Sequence, residues 1–138
     1  MNIQKWLTVA ILALAGFGTA KAQVVVANSS VKISEISKAD LHDIFIGASN
    51  AYKDGSHAVP VTLQKGPVQE KFLKDRLGMS EMQFGREWRK LIFAGQALMP
   101  RSFETEAALV EYIASVPGAI GYVGTTSDVK NVKILAVK

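Results

Sequence analysis

The chain has 138 residues, with 16 lysines and arginines against 12 aspartates and glutamates, and a net charge of +4. This small basic excess argues against a nucleic-acid-binding domain, and 49% apolar with 20% charged residues is typical of a folded globule rather than a disordered chain. There is no cysteine, which excludes disulfides, thiolate metal sites and a cysteine nucleophile.

The first 22 residues have the three parts of a secretory signal peptide. A basic start containing Lys5 is followed by an apolar run over 6–17 and by the small residues Ala20 and Ala22. The run is too short to span a bilayer, which takes roughly 20 apolar residues. The pattern predicts cleavage before Gln23 and release of a single domain over 23–138, with no later segment that inserts stably in a membrane.

The first part of this domain predicts two strands on either side of a short helix. A β-branched run over 23–27 indicates a buried strand, and Ser37 is placed to cap a helix that runs to Phe45. A polar loop over 48–57 follows, and then a second strand over 58–63.

The rest of the chain predicts three further helices and two strands. The first of these helices begins at Pro67, a residue favoured at a first helical position, and a capping-box pair, Ser80 and Gln83, starts the next. The expected apolar face of that second helix is Phe84, Trp88, Leu91 and Ile92. The last helix spans 104–116, and strands over 119–123 and 132–137 close the chain. The sequence therefore predicts an α/β domain with a small mixed sheet flanked by about four helices.

No group of reactive side chains in this sequence suggests catalysis. His42 and His57 fit no metal-ligand spacing, and neither an HExxH nor a GxSxG motif occurs. Glu104 and Glu106 lie in a predicted first helical turn, where carboxylates complement the helix dipole. We therefore expect a protein that is not an enzyme, with no catalytic residue, no metal and no cofactor.

The segment from Gln64 to Val68 is the most suggestive of binding. A strand passes through a glycine turn at Gly66 into a helix, which directs free backbone N–H groups and the positive end of the helix dipole at one point. Lys65 adds a positive charge and Gln64 an amide donor. Many strand–turn–helix junctions have this geometry without a ligand, so the alternative of a purely structural turn stays open. Arg101 is a more distant candidate for the same anion.

Three stretches resemble type 2 periplasmic binding proteins of the phosphate-transporter kind. Residues 37–47 (SKADLHDIFIG) resemble the L..IF.G helix of that family, residues 54–61 its next loop and strand, and residues 117–123 (PGAIGYV) match its PG.IGYV signature. The order and spacing agree across nearly all of 23–138. The resemblance implies a soluble, non-enzymatic periplasmic protein whose relatives bind phosphate between two α/β lobes.

Two departures from the family pattern bear on this expectation. The chain has room for one lobe only, so a second copy or another protein would have to complete a cleft. The phosphate-binding relatives also carry a Ser-Gly-Thr turn where this chain has Lys65-Gly66-Pro67-Val68. Gly66 is kept, but the hydroxyls are missing and Pro67 has no N–H to donate.

We expect a secreted solute-binding-type protein that recognises a small oxyanion, most simply phosphate, in uptake with an ABC transporter or in sensing. The expected ligands are Gln64, Lys65, Gly66 and Val68, with Arg101 as an addition. The alternative is a partner-binding or signalling module that kept the fold and lost the ligand. That alternative predicts an exposed apolar patch including Tyr122 or Phe103. A basic cluster forms either a solvated face or part of a docking surface: Arg86, Arg89 and Lys90.

Overall fold

The computed structural model of this chain describes residues 23–97, 100–124 and 129–138. The predicted signal peptide lies outside these residues, as does part of the loop predicted before Arg101. Within the described residues no helix is both long enough and apolar enough to cross a membrane.

Short strands and short helices alternate along the described residues. The strands are β1 (Val24–Asn28), β2 (Glu35–Ile36), β3 (Val59–Pro60), β4 (Thr62–Leu63), β5 (Ser102–Phe103), β6 (Ala119–Val123) and β7 (Val132–Val137). The helices are α1 (Lys38–Phe45), α2 (Pro67–Phe72), α3 (Glu81–Phe93) and α4 (Glu106–Ser115), and α2 continues directly into a π-helical segment, Leu73–Leu77.

The main sheet has five strands in the order β2-β7-β1-β6-β3. The central strand β1 is antiparallel to both neighbours, so that Val25 pairs with Tyr122 on one side and with Leu135 on the other. The two outer pairs, β2 with β7 and β3 with β6, are parallel. The predicted mixed sheet is therefore confirmed, as is the α/β class.

Helices cover both faces of this sheet. On one face lies α4, anchored by Asn28 of β1, whose side-chain amide donates to the carbonyl of Ile113 at 2.7 Å. Gly121 of β6 faces the same helix, and a Cβ added there would lie 2.7 Å from Ile113 Cδ1, so glycine lets the helix approach without displacing this side chain. On the other face, the ring of Phe72 in α2 stacks on Tyr122 with centroids 3.8 Å apart. The core thus lies on both sides of β1 and β6.

The single strand predicted over 58–63 is wrong, because the chain changes sheets at Val61. The Val61 N–H donates to the carbonyl of Ile120 in β6, whereas the next N–H, that of Thr62, donates to Arg101. Strands β4 and β5 form a separate parallel two-stranded sheet. The two-residue strands β2 and β5 were not predicted, since so short a segment carries no hydrophobic period.

Three of the four helices begin where the sequence predicts. Ser37 accepts from the Asp40 N–H, and Ser80 forms a reciprocal capping box with Gln83. The last helix begins at Glu106, two residues later than predicted, and Thr105 caps it by accepting from the Ala108 N–H. One predicted core position is wrong, because Ile92 lies at the solvent side of the end of α3, with 39% of its surface exposed.

Candidate anion site

The predicted binding turn lies between the end of β4 at Leu63 and the start of α2 at Pro67. Gly66 has a φ of 108°, a backbone conformation that favours glycine, and its carbonyl accepts from the Glu70 N–H at 3.0 Å to begin the helix. Among the described residues, no partner accepts from the N–H groups of Lys65, Gly66 or Val68. Within the described part of the chain, these backbone donors therefore have no protein acceptor.

The structure brings four of the five predicted site residues together in this one turn. The side chains of Gln64 and Lys65 are exposed, and Gly66 and Val68 are partly buried. A bound anion would therefore meet one ammonium group, one amide and a few backbone N–H groups, on an open surface.

Two hydrogen bonds hold the junction in place. The Leu63 N–H donates to the hydroxyl oxygen of Tyr122 at 3.0 Å, and the Gln64 N–H donates to the Phe103 carbonyl at 2.9 Å. Burial raises the pKa of Tyr122, so the hydroxyl stays neutral at physiological pH. The turn is therefore attached to β6 and β5 at its strand end.

Gln69, in the first turn of α2, was not singled out by its side chain in the sequence. It is buried, and its Oε1 has no hydrogen-bond partner among the described residues. It borders a groove of about 250 Å³ that Thr62, Gln64 and Ser102 also line. The sequence does not predict the burial of Gln69, because a polar residue in a helix is buried or exposed according to how the helix packs.

A carboxylate lies beside the same junction. Glu106, in the first turn of α4, accepts a hydrogen bond from the N–H of Gly124. A Cβ added to Gly124 would lie 2.8 Å from Val68 Cγ2 and 3.6 Å from Glu106 Oε1, so both side chains contact this glycine. The sequence indicated only a dipole-stabilising role for Glu106. Its negative charge opposes the binding of a second anion at this position.

Arg101 lies in a different environment from the other four residues. Its carbonyl accepts from Thr62, and its guanidinium lies 5.5 Å from the ring centroid of Tyr112 in α4. The groove that Arg101 lines includes none of the four junction residues.

The predicted apolar patch around Tyr122 or Phe103 is wrong. Tyr122 has no exposed surface because it stacks on Phe72, and Phe103 packs against Tyr112 with ring centroids 5.2 Å apart. The large apolar side chains that are exposed among the described residues lie elsewhere: Met82, Ile92, Phe93 and Ile134.

Other candidate chemistry is sparse in the described part of the chain. His42 Nδ1 lies 3.1 Å from the carboxylate of its neighbour Asp43, and His57 is exposed in the loop before β3. No three histidine, aspartate or glutamate side chains of the described residues are grouped to hold a metal ion.

The sheet order and the flanking helices have the fold of one lobe of solved phosphate-transport binding proteins. A phosphate transport receptor from Vibrio cholerae superposes with a TM-score of 0.64 at 13% identity, over 85% of this chain and 46% of that one. PstS from Borrelia burgdorferi gives a TM-score of 0.63 at 15% identity, over 86% and 47%. A phosphate ABC transporter substrate-binding protein from Clostridium perfringens, with bound phosphate, gives 0.61 at 12% identity, over 85% and 45%.

These similarities concern the fold. No family model and no curated protein matches the sequence. The chain spans less than half the length of the solved structures that it matches. The neighbours are binding proteins, which agrees with the expectation of a non-enzymatic protein at the level of the fold.

Proposed function

We propose that this protein is a periplasmic single-lobe binding protein for a small oxyanion, most simply phosphate, that acts in solute uptake or sensing. The observation that carries the proposal is the exposed donor turn from Gln64 to Val68, in a fold shared with phosphate transport receptors. Export by cleavage before Gln23, leaving 23–138 as one domain, is part of the proposal.

The donors of the turn limit the affinity that one lobe can reach. Hydrogen bonds to a charged group contribute about 1.5–3 kcal/mol each, and a Kd of 1 mM corresponds to about 4 kcal/mol. Lys65, Gln64 and the Val68 N–H offer two or three such bonds in open water, and Pro67 offers none. A lone lobe would therefore bind phosphate with about millimolar affinity.

Tight binding requires a second surface that excludes water from the anion. In this proposal a second copy of the chain or another protein supplies it, as the second lobe does in a two-lobe protein. The affinity should then rise with the concentration of the partner, because association and anion binding are linked.

Calorimetric titration of the purified protein with phosphate and then sulfate, at low salt, tests this proposal. Lys65→Ala should weaken phosphate binding, whereas Lys74→Ala, at an exposed lysine in the π-helical segment, should leave it unchanged. Equal affinity in the Lys65 and Lys74 variants would refute the assignment, and absence of heat up to about 10 mM phosphate would refute anion binding itself.

A second candidate function, a partner-binding module that lost its ligand, has its own observation. Helix α3 exposes 71% of Met82 near its start and 87% of Phe93 at its end, with the exposed Arg86 and Arg89 between them. Sedimentation velocity tests this second function. Concentration-dependent association of the protein that Phe93→Ser abolishes would support it. A strict monomer that binds phosphate would count against it.

A further inference from the structure

We propose that the groove beyond the free edge of β3 is a second binding site, separate from the anion turn, that takes a small apolar carboxylic acid. The groove has a volume of about 490 Å³ and lies between the edge strand, the buried ring of Trp88 in α3 and the half-buried ring of Tyr112 in α4. This volume is within the range of pockets that hold small organic ligands.

Most of the side chains that line the groove are apolar, and His57 and Arg101 are the titratable ones besides Tyr112. Val59 and Pro60 line the strand side, Trp88 and Tyr112 provide two aromatic rings, and Pro100 also lines the groove. Trp88 is fixed in position because its indole N–H donates to the Phe45 carbonyl at 2.8 Å. A ligand body in this groove would therefore contact rigid aromatic and proline surfaces, which bind apolar groups with little loss of side-chain entropy.

The charge of the groove is positive. Arg101 lies over the Tyr112 ring at 5.5 Å, and Phe103 supports that ring at 5.2 Å. Arg101 forms no ion pair with a carboxylate of the described residues, and no acidic side chain lines the groove. A guanidinium that faces no carboxylate among the described residues and lies beside this groove is suited to the planar carboxylate of a ligand, which it can bind through two parallel hydrogen bonds.

An added β-strand is a poor occupant for this edge. The N–H groups of Val59 and Val61 both point into the sheet, toward the carbonyls of Gly118 and Ile120. The residue between them is Pro60, which has no N–H to offer on the free side. A strand pairing here would find no donor at the centre of β3, so the edge favours a compact ligand over an extended peptide.

The fluorescence of Trp88 gives a direct test. The chain has two tryptophans, Trp6 and Trp88, so Trp6→Phe leaves a single reporter whether or not the leader is retained. The probes are benzoate, phenylacetate and hexanoate, each compared with its neutral amide. We expect at least one carboxylate to change the Trp88 emission saturably, and its amide to bind roughly tenfold more weakly or not at all.

Arg101→Gln should weaken binding of that carboxylate by roughly tenfold or more, with an unchanged thermal melting temperature. Lys74→Ala, at an exposed lysine that does not line this groove, is the control and should leave it unchanged. The proposal is overturned if none of the three carboxylates changes the emission below about 10 mM, or if the amides and the Arg101 variant bind equally well. Phosphate binding at the turn can fail or succeed independently of this result.

Discussion

Glu106 accepts a hydrogen bond from the backbone N–H of Gly124, and this pair joins the start of α4 to the end of β6 beside Val68. The Glu106 carboxylate thus accepts the hydrogen bond of a backbone N–H group at the edge of the candidate anion site. Its negative charge therefore lies beside the turn that is proposed to bind phosphate.

Glu106→Gln should therefore strengthen phosphate binding. The amide oxygen of glutamine can still accept from the Gly124 N–H, but the repulsion is removed, for an expected gain of about 1 kcal/mol, or roughly fivefold in affinity. Glu111→Gln, at an exposed position on the same helix, is the control and should have no effect. A titration that shows weaker binding in the Glu106 variant would contradict this account.

Trp88→Phe should destabilise the protein markedly. In the native protein the Trp88 indole N–H donates to the buried Phe45 carbonyl at 2.8 Å. The substitution removes this donor and leaves a void beside α1. The expected loss in the free energy of unfolding is about 2–4 kcal/mol. Phe93→Ala removes a larger part of an aromatic side chain from the same helix, yet should change stability by less than about 0.5 kcal/mol, because Phe93 is 87% exposed. Urea denaturation of the two variants measures both, and similar losses would contradict the packing described for α3.

Alkaline pH should unfold the protein through two buried tyrosines. Burial raises the pKa of Tyr52 and of Tyr122 in the folded state, and the Asp54 carboxylate adds to the effect at Tyr52. In the unfolded chain both tyrosines have a pKa of about 10, so the unfolded state loses its protons first. The free energy of unfolding therefore falls as the pH rises above that value. The expected slope is up to about 1.4 kcal/mol per pH unit for each tyrosine.

The tyrosine prediction is checked by unfolding curves between neutral pH and strongly alkaline pH. The double variant Tyr52→Phe/Tyr122→Phe should lose most of this pH dependence, even though its stability at pH 7 falls because Gly118 and Leu63 each lose a hydrogen-bond partner. An unchanged slope would show that other groups cause the alkaline transition.

Gly118→Ala and Gly55→Ala form a matched pair that separates backbone strain from a steric clash. The φ angles of Gly118 and Gly55 are 80° and 89°. Alanine is strained in this left-handed region and should lower the free energy of unfolding by about 1–2 kcal/mol at each position. A Cβ at Gly118 would also lie 2.3 Å from the His57 carbonyl oxygen, whereas a Cβ at Gly55 would point into open space among the described residues. Gly118→Ala should therefore lower the thermal melting temperature clearly more than Gly55→Ala does. Equal shifts would contradict the close approach between β6 and the loop before β3.

The sequence predicted the elements whose signals are local. Ser37, the Ser80–Gln83 pair and Pro67 mark helix starts through bonds and dihedrals within one turn, and all three helices begin where predicted. The strands at β6 and β7 were also predicted with their observed bounds. Four of the predicted site residues meet at one junction because they are contiguous in the chain.

Contacts between segments that are distant in the chain could not be predicted from these local signals. Val61 divides one apolar run between two sheets, because its N–H and that of Thr62 find acceptors 59 and 39 residues away. The contact of Glu106 with Gly124, the burial of Tyr122 and the position of Arg101 over Tyr112 likewise depend on how β4, β5, β6 and α4 pack.

The amino-acid sequence by itself determined the α/β class, the helix starts and the chemistry of the donor turn, since propensity, capping and backbone conformation act over a few residues. Only the tertiary structure decided which groups surround that turn and which surfaces stay open. Pairing across a sheet and packing against a helix join residues far apart in the chain, and no local pattern records which of the alternative partners a buried group finds.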